Sequence, residues 1–128
     1  MAGLSVVIPT LEEASRLPLL LADLQRWPGE LEVIVSDAGS RDQTRAVAQL
    51  AGATVLESPN SGRGPQLRWG VGHSSHAWVL VLHADSRLPD TWHHRVGAIL
   101  SRPEAHQNVW YFAVSYTHLT LPTRIFVE

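Results

Sequence analysis

The run Trp78-Val79-Leu80-Val81-Leu82 is apolar at every position. A strand that buries one face alternates apolar and polar residues, whereas a strand without alternation is buried on both faces. A chain carrying such a strand must cover its sheet from two sides. Three more short apolar runs fit the same layer: Leu4 to Ile8, Leu31 to Val35 and Ala53 to Leu56. Helical patterns separate them. Leu17, Leu20, Leu21 and Leu24 fall at helical spacing, with Pro18 suited to a first turn and Trp27-Pro28-Gly29 as the stop. Ser40 and Gln43 have capping-box spacing, opening a helix through Ala46, Val47 and Leu50 that Gly52 ends. Pro65 starts a helix toward Gly72, and Asp90 to Leu100 reads as another. Val109 to Ala113 reads as a further strand. Strands alternating with helices predict an α/β fold: a Rossmann-like, mostly parallel sheet with helices on both faces.

With 128 residues and 45% apolar content, the chain has enough material for one domain with its own core. A formal charge of −2 offers no basic surface for nucleic acid. All ten basic residues are Arg, which we read as the codon bias of a GC-rich genome. There is no Cys, so disulfides, thiolate metal sites and Cys nucleophiles are excluded. Met1-Ala2-Gly3-Leu4 lacks the basic and apolar regions of a signal peptide, and no run approaches the length of a membrane span. The expectation is a cytoplasmic protein without a transmembrane segment, compatible with peripheral membrane contact of a longer parent.

Ligands of open parallel sheets bind beyond the carboxyl ends of the strands, and here each strand is followed by a polar or glycine-containing segment. After the first comes Pro9-Thr10-Leu11-Glu12-Glu13, whose backbone and Glu12 or Glu13 can meet a base or ribose. The competing reading is that both Glu residues favour the positive end of the next helix. After the second comes Asp37-Ala38-Gly39-Ser40-Arg41-Asp42. Helix capping accounts for Ser40 and Asp42 but leaves Asp37 without a task, so Asp37 is assigned to a base N–H or ribose hydroxyl, with Gly39 turning the backbone around the ligand. After the third, Gly62-Arg63-Gly64-Pro65-Gln66-Leu67-Arg68 resembles a phosphate cradle, with Arg63 or Arg68 reaching a diphosphate. Leu67 stands where a dinucleotide fingerprint needs its third Gly, and the Lys-Ser/Thr of a P-loop is missing. After the fourth comes His83-Ala84-Asp85. In an extended segment His83 and Asp85 share a side, where imidazole and carboxylate can hold a divalent cation. A charge directly after so apolar a strand needs a partner. His73, His76, His93, His94 and His106 show no repeated ligand spacing and are read as surface or structural.

Taken in order, these segments resemble the family 2 glycosyltransferases, which have the GT-A fold. Ser5 to Glu13 resembles the family's opening strand and loop, and Asp37 to Thr44 its Asp-Asp-Gly-Ser-x-Asp-x-Thr motif. His83-Ala84-Asp85 stands in the place of Asp-x-Asp. Gly62 to Leu67 and Leu82 to Pro89 resemble a bacterial subgroup named for its association with radical-SAM and selenodomain proteins. The resemblance covers roughly residues 4 to 100. It implies a nucleoside-diphosphate sugar as donor, an unknown acceptor hydroxyl and inversion at the anomeric centre. Asp37 would bind base or ribose with help from Glu12 or Glu13; Pro9, Thr10, Gly39, Ser40, Arg63, Arg68 and Ala84 would line the donor site. Asp85, with His83, would hold Mg²⁺ or Mn²⁺ on the diphosphate.

Two departures stand out: Ala38 replaces the family's second Asp, and His83 replaces the first Asp of Asp-x-Asp. The family's base lies beyond position 113, so no catalytic base is assigned and the fragment is expected to be inactive alone. From Val114 to Thr123 the chain reads Val-Ser-Tyr-Thr-His-Leu-Thr-Leu-Pro-Thr, which resembles a translated sequencing adapter. The expected organisation is therefore a nucleotide-sugar-binding N-terminal half over residues 1–113 and a non-native tail over 114–128. Two other readings compete. A sugar-nucleotide pyrophosphorylase would show a glycine-rich, Arg-containing loop where Thr10-Leu11-Glu12-Glu13 stands; a non-catalytic nucleotide-binding module would bind without a metal.

Overall fold

A computed structural model describes residues 3–102 together with the backbone of 110–116 and 120–127. His106, Val109 and part of the expected tail (117–119 and 128) lie outside the described residues. The elements in order are β1 (Leu4–Thr10), α1 (Leu17–Leu24), β2 (Leu31–Asp37), α2 (Thr44–Leu50), β3 (Thr54–Glu57), α3 (Arg63–Gly72), β4 (Trp78–Val81), β5 (Ser86–Arg87), α4 (Trp92–Leu100), β6 (Trp110–Tyr116) and β7 (Thr120–Val127). The strands form one sheet in the order β3-β2-β1-β4-β7-β6-β5. The first four in that order run parallel; the pairings through β7, β6 and β5 are antiparallel. The boundary expected after residue 113 falls within β6.

Both faces of the parallel part of the sheet are covered. Val6, Ile8, Val33, Val35, Leu80 and Leu82 join Leu17, Leu20, Leu21 and Leu24 of α1, Ala48 of α2 and Trp92 and Val96 of α4 in one core. Val7, Ile34, Val79 and Val81 face the other way, against Leu67 and Val71 of α3. Successive residues of each strand thus serve opposite layers, which is why β1, β2 and β4 lack polar alternation.

The helices form where expected, with corrections at their ends, one being that α4 begins at Trp92 and not at Asp90. The residue capping α2 is Gln43, with no side-chain cap, so the Ser40–Gln43 capping box does not form. Ser40 is committed instead to Asp37, described below, while Asp42 Oδ1 accepts the Thr44 N–H at 2.9 Å. At the other end Gly52 has φ +86. The Gly52 N–H donates to Gln49 O and the Ala53 N–H to Ala48 O, both at 3.0 Å, closing a Schellman turn. Helix α3 starts at Arg63, two residues before Pro65.

α3 lies close on the sheet because Gly70 has no side chain. A Cβ there would overlap Val7 Cγ1 and come within 3.6 Å of Ser36 Cβ. Val7 is fully buried and β-branched, so it cannot swing aside. Gly70→Ala is expected to cost about 1–3 kcal/mol through overpacking, despite the better helix propensity of Ala. A thermal melt checks this: an unchanged or raised melting temperature contradicts the close-packing account.

Candidate functional site

β2 and β4 flank β1 and run parallel to it, so their carboxyl ends open on one rim. Asp37 is the last residue of β2, and Asp85 follows the end of β4 at Val81. Asp37 and Asp85 therefore belong to the same edge of the molecule.

They differ in exposure. The parallel register sets Thr10 opposite Asp37, and Thr10 Oγ1 donates to Asp37 Oδ1 at 2.7 Å. Ser40 Oγ donates to the same oxygen at 2.6 Å. The backbone N–H groups of Gly39 and Ser40 donate to Oδ2 at 3.0 and 2.8 Å, and Arg45 Nε stands 3.9 Å away. Asp37 is 0% exposed. Burial by itself would raise its pKa, but the hydrogen bonds from Ser40, Thr10 and Gly39 together outweigh it and hold the carboxyl below its ordinary value. The contact with a base N–H or ribose hydroxyl expected of Asp37 would have to compete with this network. Both oxygens are taken by the protein, and the carboxylate builds the loop that forms the rim. Thr10 and Ser40, 2% and 1% exposed, are spent in the same network. Gly39, with φ +94 and open space where a Cβ would stand, presents backbone outward.

Glu12 ties the first loop to the second. Its backbone is left-handed, with φ 55, and its N–H donates to Ser40 Oγ at 2.9 Å. Its carboxylate accepts the Arg41 and Asp42 N–H groups at 2.7 and 3.1 Å. Neither the helix-dipole reading nor the ligand reading anticipates this clamp. Glu13 donates its N–H to Thr44 Oγ1 at 2.8 Å. Its carboxyl pKa is raised, chiefly by burial; Arg16 opposes the rise, while Asp85 and Asp42 add to it. Pro9, half-buried, pairs with Ser36 inside the sheet.

The open part of the rim gathers Arg63, His83 and Asp85. The expected extended segment is instead a turn: the Ser86 N–H donates to His83 O at 3.0 Å. His83 and Asp85 remain within electrostatic range. Burial lowers the His83 pKa, the nearby Arg63 lowers it further, and Asp85 opposes them. Asp85, its side chain 34% exposed, stands 3.8 Å from Arg16 Nη1. Ala84 is 3% exposed and packs into the core with Leu82 and Leu88, so its side chain is not available to a ligand. Arg68 is not brought to this cluster. It lies two residues beyond the inward-facing Gln66, on another face of α3, and borders a shallow hollow of about 290 Å³ with Pro59, Asn60, Pro65 and Trp69.

Two supports escaped the sequence reading. Gln66 Nε2 donates to Thr10 O and Ser36 O at 3.0 and 2.9 Å, and Gln66 Oε1 accepts the Gly62 N–H at 3.1 Å. The amide thereby joins the tips of β1 and β2 to the start of α3. Its signal was a polar residue one helical turn before Gly70, on the face toward the sheet. Asp23 interrupts the apolar face of α1. It accepts Arg87 Nε and Nη2 at 2.8 and 3.2 Å and the Leu88 N–H at 2.9 Å, fixing the segment just after Asp85. Among the other His residues, His76 is structural. Its Nδ1 meets Ser5 Oγ at 3.0 Å and its Nε2 meets Glu30 at 3.1 Å, away from the rim.

A sheet whose four parallel strands are covered on both faces and carry polar loops beyond their carboxyl ends has the GT-A fold, as its structural neighbours show. Solved structures share the fold. Glucosyl-3-phosphoglycerate synthase from Mycobacterium tuberculosis, solved with Mn²⁺, UDP and glucosyl-3-phosphoglycerate, superposes with a TM-score of 0.67 at 24% identity, over 80% of this chain and 41% of that one. TarS from S. aureus gives 0.69 at 22% identity, over 84% and 34%. Residues 5–123 match the family described as Glycosyl transferase family 2, and the chain belongs to that family. Among curated relatives, glycosyltransferase AglJ of Haloferax volcanii is 37% identical over 87 residues, covering 67% of this chain and 28% of the relative. Human dolichyl-phosphate beta-glucosyltransferase is 34% identical over 106 residues, covering 68% and 33%. The chain thus spans about a third of the length of these two relatives. Among the described residues, no helix is long and apolar enough to cross a membrane.

Proposed function

We infer that residues 1–113 form the donor-binding half of an inverting glycosyltransferase that uses a nucleoside-diphosphate sugar with Mg²⁺ or Mn²⁺. The observation carrying this reading is the cluster of Arg63, His83 and Asp85 at the open rim, beside a loop held rigid by Asp37. Family membership and the ligands named for the mycobacterial synthase support it.

The residues fit a cation shared with the donor. The described residues hold no group of three or more His, Asp or Glu side chains suited to a metal. Among the described residues a closed, all-protein site is not built, and diphosphate oxygens and water would supply the remaining ligands, as is usual for Mg²⁺. His83, with its lowered pKa, is neutral near pH 7, the form that ligates. When bound, such a cation neutralises the charge that develops on the departing nucleoside diphosphate. Arg63 adds a fixed positive charge on the same side. The Gly39 backbone and the loop clamped by Glu12 offer polar groups to base and ribose.

The pyrophosphorylase reading is not favoured, because β1 leads into Glu12 clamped on the next loop instead of a glycine-rich phosphate loop. Calorimetric titration with UDP, GDP, UTP and GTP, with and without Mn²⁺, tests the proposal. Diphosphate binding that needs Mn²⁺ and falls about tenfold or more in Asp85→Ala is expected. Metal-independent binding points to a non-catalytic module, and a preference for the triphosphate to a nucleotidyltransferase.

A further inference from the structure

Arg16 lies outside every motif singled out in the sequence, yet its guanidinium occupies the acidic side of the rim. Nη1 stands 3.8 Å from Asp85 Oδ2, with the two side chains 48% and 34% exposed. Its place is set by the backbone: the Arg16 N–H donates to Glu13 O at 3.1 Å, and Leu17 begins α1 immediately after it. Glu13 feels Arg16, Asp85 and Asp42, so a single guanidinium stands among several carboxyl groups here. Asp85 is the exposed carboxylate assigned above to the divalent cation.

We propose that Arg16 is a resident counter-ion of Asp85 that competes with the divalent cation, making cation binding dependent on the diphosphate. This rests on the donor-site reading above and adds to it an order of events. Without nucleotide, a divalent cation must displace the guanidinium from Asp85 and then sit beside a freed positive charge. With a diphosphate present, its anionic oxygens ligate the cation and compensate the guanidinium as well, so the penalty disappears. The effect is modest, because the pair is solvent-exposed.

The test measures Mn²⁺ binding, without nucleotide and at saturating UDP, by the electron paramagnetic resonance signal of the free ion, on the parent chain, Arg16→Gln, Asp85→Ala and Arg95→Gln. The last removes the same charge from an exposed position on α4. Arg16→Gln is expected to bind Mn²⁺ about threefold more tightly than the parent, and to lose that advantage at saturating UDP. Arg95→Gln is expected to match the parent. If Arg16→Gln binds like the parent while Asp85→Ala loses Mn²⁺, the counter-ion role is overturned and the donor site stands. Equal gains in Arg16→Gln and Arg95→Gln also overturn it, since net charge then explains the effect. If Asp85→Ala binds Mn²⁺ as well as the parent at saturating UDP, the donor-site reading falls and this proposal with it.

Discussion

Asp37→Ala is expected to destabilise the chain by about 3–5 kcal/mol, lowering its melting temperature by more than about 10 °C. The substitution leaves two backbone N–H groups and two hydroxyls without the acceptor they share. Thr10 and Ser40 are buried with Asp37, so water does not readily replace it. Asp37→Asn is expected to cost less, about 1–2 kcal/mol. Its carbonyl can serve the two N–H groups, and its amide can donate to Thr10 and Ser40 once their hydroxyls rotate. The pH dependence carries a sign. The folded pKa of Asp37 lies below its ordinary value of 3.8. Its contribution is therefore complete above that value and is lost as pH falls through the lower, folded pKa. Denaturant titrations across the acid range should show a steeper loss of stability below about pH 4 in the parent than in Asp37→Ala. A variant that melts with the parent and keeps the same acid limb would show that the network is not what holds the rim.

The second large effect is expected at Asp23. Its carboxylate is 4% exposed and serves Arg87 through two nitrogens and Leu88 through its N–H. The Asp23 carbonyl also accepts Trp92 Nε1 at 2.8 Å, next to the Trp27–Trp92 stack at 5.6 Å. Asp23→Ala orphans the buried Leu88 N–H and releases Arg87, at a cost of about 3 kcal/mol. Because the anchored segment begins directly after Asp85, Mn²⁺ binding in the presence of UDP is expected to weaken about tenfold. Arg87→Ala should reproduce only part of the loss, since the Leu88 N–H keeps its acceptor. Thermal melts and Mn²⁺ titrations of both variants check this. Equal effects of the two would place the energy in the Asp23–Arg87 ion pair alone.

Much of the architecture was legible before any coordinates. Trp78 to Leu82 announces burial on two sides because a sequence run carries that information locally. Leu17, Leu20, Leu21 and Leu24 mark one helix face, and Gly52 its neighbour's end, for the same reason. The site was legible in position but not in role. Asp37 read as a ligand because a strand-tip carboxylate with no visible partner invites that assignment. Its partners are Thr10, opposite it only through the parallel register, and Ser40, which the sequence assigned to a helix cap. Arg68 read as equivalent to Arg63 because both flank the same glycine-containing loop. The rotation of α3, fixed by Gln66 and Gly70 against the sheet, separates them. Arg16 carried no signal, since its meeting with Asp85 spans two loops.

By itself, the sequence determined which segments become strands and helices, that the sheet is parallel over its first four strands and covered there on both sides, and which loops face its rim. These follow from periodicity and breakers within a few residues of one another. Only the tertiary structure decided which polar side chains at that rim are consumed in building it and which remain for a ligand. That division depends on strand register, helix rotation and contacts between residues far apart in the chain. Each of these sets whether a charged group meets a partner or water.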